Sequence, residues 1–245
     1  MRLEEYGKEN EKIIVMLHGA HFVHSFGRQY PLADRYHIIV PHIMGFGDEA
    51  DRVFDTEACV KELAQLVESL GKKVMLVGFS LGAQLGFKLL AEHEELFHGA
   101  VLVSPWLIKE EPMLSEIEKG NQKQLQQLKK RWLCNIIAVL NGLWPKVLRR
   151  EFVEQMQRVK AETVRNVVYN GITLDSVPEF AGVTVPVVAL AGEKEQAVIH
   201  ESVKQMAQLA KNCRCEIWEK AGHNIPPLFA GRFNQLLISE MSRDE

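Results

Sequence analysis

The chain has 245 residues, 47% of them hydrophobic, and a formal net charge of −3. That length and apolar content suit one large domain, or one domain with an insertion, and the charge carries no nucleic-acid footprint. No stretch offers the ~20 apolar residues of a membrane span, and Met1 to Glu5 lacks the apolar core of a secretory signal. Cys59, Cys134, Cys213 and Cys215 are too few and too scattered for a disulfide framework. They read as free thiols in a reducing cytoplasm, with no metal site.

Ile13 to Leu17 is a short all-apolar run, the pattern of a strand buried on both faces. It ends at His18-Gly19-Ala20. A second strand is predicted over Tyr36 to Val40, stopped by Pro41, and followed by the two-glycine loop Met44-Gly45-Phe46-Gly47-Asp48. Asp55 caps a helix whose apolar positions Val60, Leu63, Ala64, Val67 and Leu70 share one face. The Val74 strand and a helix over Ala83 to Ala91 come next, then a strand over Ala100 to Val103. From Trp106 to about Gly171 the strand–helix alternation stops. Leu125, Leu128, Trp132 and Ile136 fall three or four apart, as on one helical face, and Val147, Phe152, Met156, Val159 and Val164 predict a further helix or two. Strand character returns over Val183 to Ala191. Ile199, Val203, Met206 and Ala210 make an amphipathic helix, Arg214 to Trp218 a last strand, and Pro226 opens a final helix with Phe229, Phe233, Leu236 and Leu237 inward. This order predicts an α/β fold with a mostly parallel sheet flanked by helices. Residues 1–105 and 178–245 form its core, and 106–177 an inserted helical cap.

The chemistry concentrates at Gly78-Phe79-Ser80-Leu81-Gly82, where a strand meets a helix. A tight turn there lifts the Ser80 hydroxyl above the sheet, and the flanking glycines admit close packing. A serine hydroxyl is a weak nucleophile without a base. Among nine histidines, His223 lies in the late loop Ala221-Gly222-His223-Asn224, where a base is needed. Glu195, in the loop after the Val185 to Ala191 strand, is the carboxylate expected to orient it, with Glu193 and Asp175 as alternatives. Two N–H donors are expected for an oxyanion: Leu81, and Ala20 or else His21. His18 reads as a brace for that loop. His21, Phe79, Trp106, Trp132 and Trp144 are the expected substrate contacts.

Together, His18-Gly19, Gly45-Phe46-Gly47, Gly78-Phe79-Ser80-Leu81-Gly82, Gly192-Glu193-Lys194-Glu195 and Gly222-His223 resemble the α/β-hydrolase superfamily over nearly the whole chain. The resemblance implies a compact hydrolase with a helical cap between Pro105 and Pro178. Three departures are visible. The usual leading hairpin is reduced, with Leu3 to Tyr6 as one edge strand. The acid is Glu rather than Asp. His42 and Asp48 stand where the Gly45-x-Gly47 loop usually has Asp and Ser. The expected activity is hydrolysis of a small, apolar carboxylic ester or thioester through an acyl-enzyme on Ser80, with no cofactor, a small-molecule substrate as partner and no nucleic acid; the oligomeric state is left open. The alternatives are C–C bond hydrolysis, lyase or peptidase chemistry on the same triad, or a ligand-binding protein with a vestigial site.

Overall fold

The computed structural model describes residues 1–140 and 142–243. Its apolar runs and two more polar edge strands pair into one seven-stranded sheet in the order β1-β3-β2-β4-β5-β6-β7. β1 (Leu3–Tyr6) lies antiparallel to β3 (His37–Pro41) at one edge. The remaining neighbours, β2 (Ile13–Leu17), β3, β4 (Val74–Phe79), β5 (Phe97–Val103), β6 (Val187–Gly192) and β7 (Cys213–Trp218), pair in parallel.

Burial on both faces explains the unbroken apolar strands. In β4, Val74 and Leu76 enter one core while Met75, Val77 and Phe79 enter the other. The first core is closed by α1 (Thr56–Ser69), α2 (Leu81–His93) and α7 (Ala197–Leu209). The second is closed by Phe233 and Leu237 of α9 (Ala230–Met241). Asp55 caps α1, its Oδ1 accepting from the Ala58 N–H at 2.8 Å.

Four helices fall between β5 and β6: α3 (Glu111–Leu128), α4 (Arg131–Leu140), α5 (Lys146–Arg158) and α6 (Ala161–Val168). The single face expected for Leu125, Leu128, Trp132 and Ile136 does not exist. The helix ends after Leu128, and α4 restarts with Cys134 and Ala138 inward. Leu125 and Leu128 are buried, whereas Trp132 and Ile136 are 67% and 45% exposed. Among the boundaries that differ, two have a clear local cause. β6 begins at Val187 rather than Val183, because Pro186 has no N–H to pair and the Glu94 carboxylate takes the N–H groups of Thr184 and Val185 at 2.6 and 2.7 Å. The final helix is two: Pro226 and Pro227 lie in the short α8 (Ile225–Leu228), and Phe229 leaves helical geometry before α9.

No helix among the described residues is long and apolar enough to cross a membrane. No group of three or more histidines, cysteines or carboxylates among them is arranged to hold a metal.

Candidate active site

β4 delivers Ser80 to the carboxyl edge of the sheet, and α2 leaves from Leu81. Ser80 sits at φ 53°, ψ −112°, a conformation costly for any residue with a Cβ. The surroundings impose it. The Ser80 N–H donates to the Val103 carbonyl at 2.8 Å, and its carbonyl accepts from Ala83 and Gln84 at 3.0 and 3.1 Å. The two glycines allow the turn to close. A Cβ on Gly82 would stand 1.9 Å from the Leu17 carbonyl oxygen, and one on Gly78 2.5 Å from that of Gly82.

The loops after β6 and β7 are stitched together. The N–H groups of Glu193 and Lys194 donate to the carbonyls of Trp218 and Ala221, both at 2.9 Å, and the Glu193 carboxylate accepts from the Lys220 N–H at 2.7 Å. This brings His223 and Glu195 together. His223 Nδ1 is 2.7 Å from Glu195 Oε1, and Nε2 is 3.1 Å from Ser80 Oγ. The Phe79 ring packs against the imidazole, centroids 5.0 Å apart.

The Glu195 side chain is 3% exposed. Burial opposes its charge, yet donors from His223, the Gly192 N–H and Ser104 outweigh that penalty and hold the carboxyl below its usual range. Its Oε2 accepts from Gly192 at 2.8 Å and from Ser104 Oγ at 2.7 Å. An ionised carboxylate only accepts. His223 Nδ1 is therefore the donor, and Nε2 presents its lone pair to Ser80. Glu193 is occupied with Lys220, and Asp175 is exposed after α6. Neither pairs with the ring.

His18 sets the opposite wall. Its Nε2 accepts from the Ile43 N–H at 2.9 Å, so Nδ1 carries the proton and donates to the Gly19 carbonyl at 2.7 Å. Burial keeps this ring neutral, its pKa lowered to about 3. Tying down that carbonyl turns the Ala20 N–H, across the same planar peptide, the other way. Ala20 and Leu81 both line the cleft beside Ser80.

The cleft has a volume of about 400 Å³. Trp106 lines it, with Ile117 and Asn121 of α3 and Val167 and Val168 of α6. Four expected contacts lie elsewhere. Trp132 is on the outward face of α4, and Trp144 borders a different cleft beside Leu228. The first follows from the break after Leu128, which turns α4 inward on Cys134 and Ala138 instead. Phe79 is buried beneath His223, on the core side of the strand. His21 (φ 72°) turns its ring onto Phe46, 5.3 Å between centroids, and burial lowers its pKa to about 4.

Three features were not read from the sequence. Ser104 (φ 55°) directly follows β5 and donates to Glu195; the polar Ser-Pro at a strand's carboxyl end was its only signal. Gln84, one turn after Ser80, is 5% exposed and lines the cleft. Its orientation is fixed from behind. Asn170 Oδ1 accepts from the Ile172 N–H at 2.9 Å, so Asn170 Nδ2 donates to Gln84 Oε1 at 2.8 Å. The Gln84 Nε2 donor is then left for the cleft. Lys109 also donates to Asn170 Oδ1, and its Nζ lies 5.3 Å from the Trp106 ring. Burial lowers the Lys109 pKa to about 7.

A sequence model described as the Alpha/beta hydrolase family matches residues 14–236. The chain belongs to that family. No curated protein matches it. Among solved structures it is similar to MenH from S. aureus, at 20% identity and TM-score 0.76 over 98% of this chain and 97% of that one. It is similar to the esterase EaEST from Exiguobacterium antarcticum, at 18% identity and TM-score 0.77 over 98% and 94%. It is also similar to the enol-lactonase from Burkholderia xenovorans LB400, at 17% identity and TM-score 0.78 over 99% and 96%. At these identities the likeness is one of fold.

Proposed function

We propose that this member of the alpha/beta hydrolase family is a serine hydrolase that cleaves a small carboxylic ester or thioester through an acyl-enzyme on Ser80. One observation carries the reading: the unbroken chain from Ser80 Oγ to His223 Nε2 at 3.1 Å and from His223 Nδ1 to Glu195 at 2.7 Å. Ser80 Oγ attacks the substrate carbonyl while His223 Nε2 takes its proton. Glu195 holds the tautomer and stabilises the imidazolium. The Leu81 and Ala20 N–H groups receive the oxyanion. His223 returns the proton to the leaving oxygen or sulfur, and water, activated by the same ring, releases the acid. No metal or organic cofactor enters any step.

The acyl group is expected to be modest in size. Trp106, Ile117 and Val168 give the cleft apolar walls, and Gln84 Nε2 gives it one oriented donor for an oxygen on the acyl chain. The test is turnover of p-nitrophenyl esters graded by acyl length, on wild type and Ser80→Ala. A folded Ser80→Ala variant should lose roughly 10⁶ in kcat, by analogy with removal of a triad serine elsewhere. A variant that keeps most of its activity would overturn the proposal.

A further inference from the structure

Between Lys119 and Arg150 the chain has eight lysines and arginines and no aspartate or glutamate. The rest of the protein therefore carries a net charge of −11. Two of the eight are used internally: Lys129 donates to the carbonyls of Gln157 and Val159, and Arg149 to that of Trp144. Lys130, Arg131, Lys146 and Arg150 are exposed, and none has a carboxylate within 4.0 Å among the described residues.

In sequence these cations flank a stretch that exposes apolar side chains. On α4, Trp132, Ile136, Val139 and Leu140 are 67%, 45%, 38% and 73% exposed. Their spacing places them along one side of the helix, opposite the buried Cys134 and Ala138. Trp144 and Val147 continue the surface. Trp144 and Leu228 then border a cleft of about 360 Å³ with Arg28 and Arg232 at its walls. The Arg28 guanidinium stacks 4.5 Å from the Trp144 ring and that of Arg232 4.0 Å from Trp218. Neither arginine has a carboxylate within 4.0 Å among the described residues. Of the acidic residues in this region, Glu151 faces His24 at 3.2 Å, Glu154 is exposed on α5, and Glu216 accepts from the Trp218 indole N–H at 3.0 Å.

We propose that this outer face of the helical insertion docks on an anionic phospholipid surface. Indole and aliphatic side chains on one side of a helix, bracketed by lysine and arginine, suit the boundary between head groups and acyl chains. Trp132, Leu140, Trp144 and Val147 enter that boundary. Lys130, Arg131, Lys146 and Arg150 meet lipid phosphates, and the Arg28–Arg232 cleft has the charge and volume for one phosphodiester head group. A second copy of this chain fits the face poorly, because a two-fold contact sets its cations against themselves. The surface lies apart from the Ser80 cleft, so docking does not depend on the proposed catalysis.

The test is co-sedimentation with vesicles of pure phosphatidylcholine and of phosphatidylcholine containing 30% phosphatidylglycerol. The protein should bind the anionic vesicles at least tenfold more tightly, with tryptophan emission shifting to the blue. Binding should fall steeply with added salt. Trp132→Ser with Leu140→Ser, and separately Arg131→Glu with Arg150→Glu, should each weaken binding at least tenfold while leaving turnover of a water-soluble ester unchanged. Circular dichroism checks that both variants remain folded. Equal binding to the two vesicle types would overturn the proposal. So would failure to bind either, self-association lost in the variants without vesicle binding, or binding to polyglutamate without vesicle binding.

Discussion

Replacing Glu195 by glutamine changes one atom, and the hydrogen bonds around it determine the outcome. Oε2 accepts from the Gly192 N–H at 2.8 Å and from Ser104 at 2.7 Å. The Gly192 N–H can only donate, so the glutamine must keep its carbonyl oxygen there. Its NH₂ then faces His223 Nδ1 across the 2.7 Å now bridged by a carboxylate. Nδ1 must accept, the ring proton moves to Nε2, and the lone pair that faced Ser80 at 3.1 Å is gone. The same tautomer reversal in a serine protease lowers kcat by about 10⁴, which is ~5.4 kcal/mol of barrier. Steady-state turnover of p-nitrophenyl butyrate should therefore fall about 10⁴-fold in kcat with little change in KM. Glu193→Gln, whose partner is the Lys220 N–H, should lose less than tenfold. If Glu195→Gln retains a tenth or more of wild-type kcat, or Glu193→Gln loses as much, the orienting acid is misassigned.

Gly82→Ala puts a Cβ 1.9 Å from a backbone oxygen; calorimetry should show a loss of about 3 kcal/mol, or roughly 6–12 °C in Tm for a chain of this size. Burial depresses the folded pKa of Lys109 from 10.5 to about 7. The unfolded chain therefore binds the extra proton between those values, and this group makes stability rise with pH across that window. Lys109→Met should remove that rise, as read from urea midpoints at pH 6, 8 and 10; an unchanged slope would refute it. Trp106→Ala should shift the acyl-length profile of kcat/KM, by up to about 1–3 kcal/mol per methylene, whereas Trp132→Ala, outside the cleft, should not.

The sheet was legible because both its faces are buried. Ile13 to Leu17 is apolar at every position since neighbours on each side demand it, and the β4–Ser80–α2 joint left a glycine signature that few other turns require. Helix periodicity was less informative. Leu125, Leu128, Trp132 and Ile136 keep a helical spacing straight through the end of one helix and the start of the next, because spacing records apolar residues without recording what they touch. Trp132 and Trp144 looked like cleft residues for the same reason, yet they face outward. Contacts such as Gln84–Asn170 and Ser104–Glu195 join residues 86 and 91 positions apart. No local pattern encodes such a pairing, so only the folded topology reveals it.

The most direct test of the account is covalent labelling. Wild-type protein incubated with a small fluorophosphonate, digested and read by mass spectrometry, should carry one adduct, on the peptide containing Ser80. His223→Ala should slow the labelling severely, and Ser80→Ala should abolish it. Wild-type protein that is folded yet unlabelled, or an adduct that persists at another residue in Ser80→Ala, would contradict the assignment of Ser80 as the nucleophile.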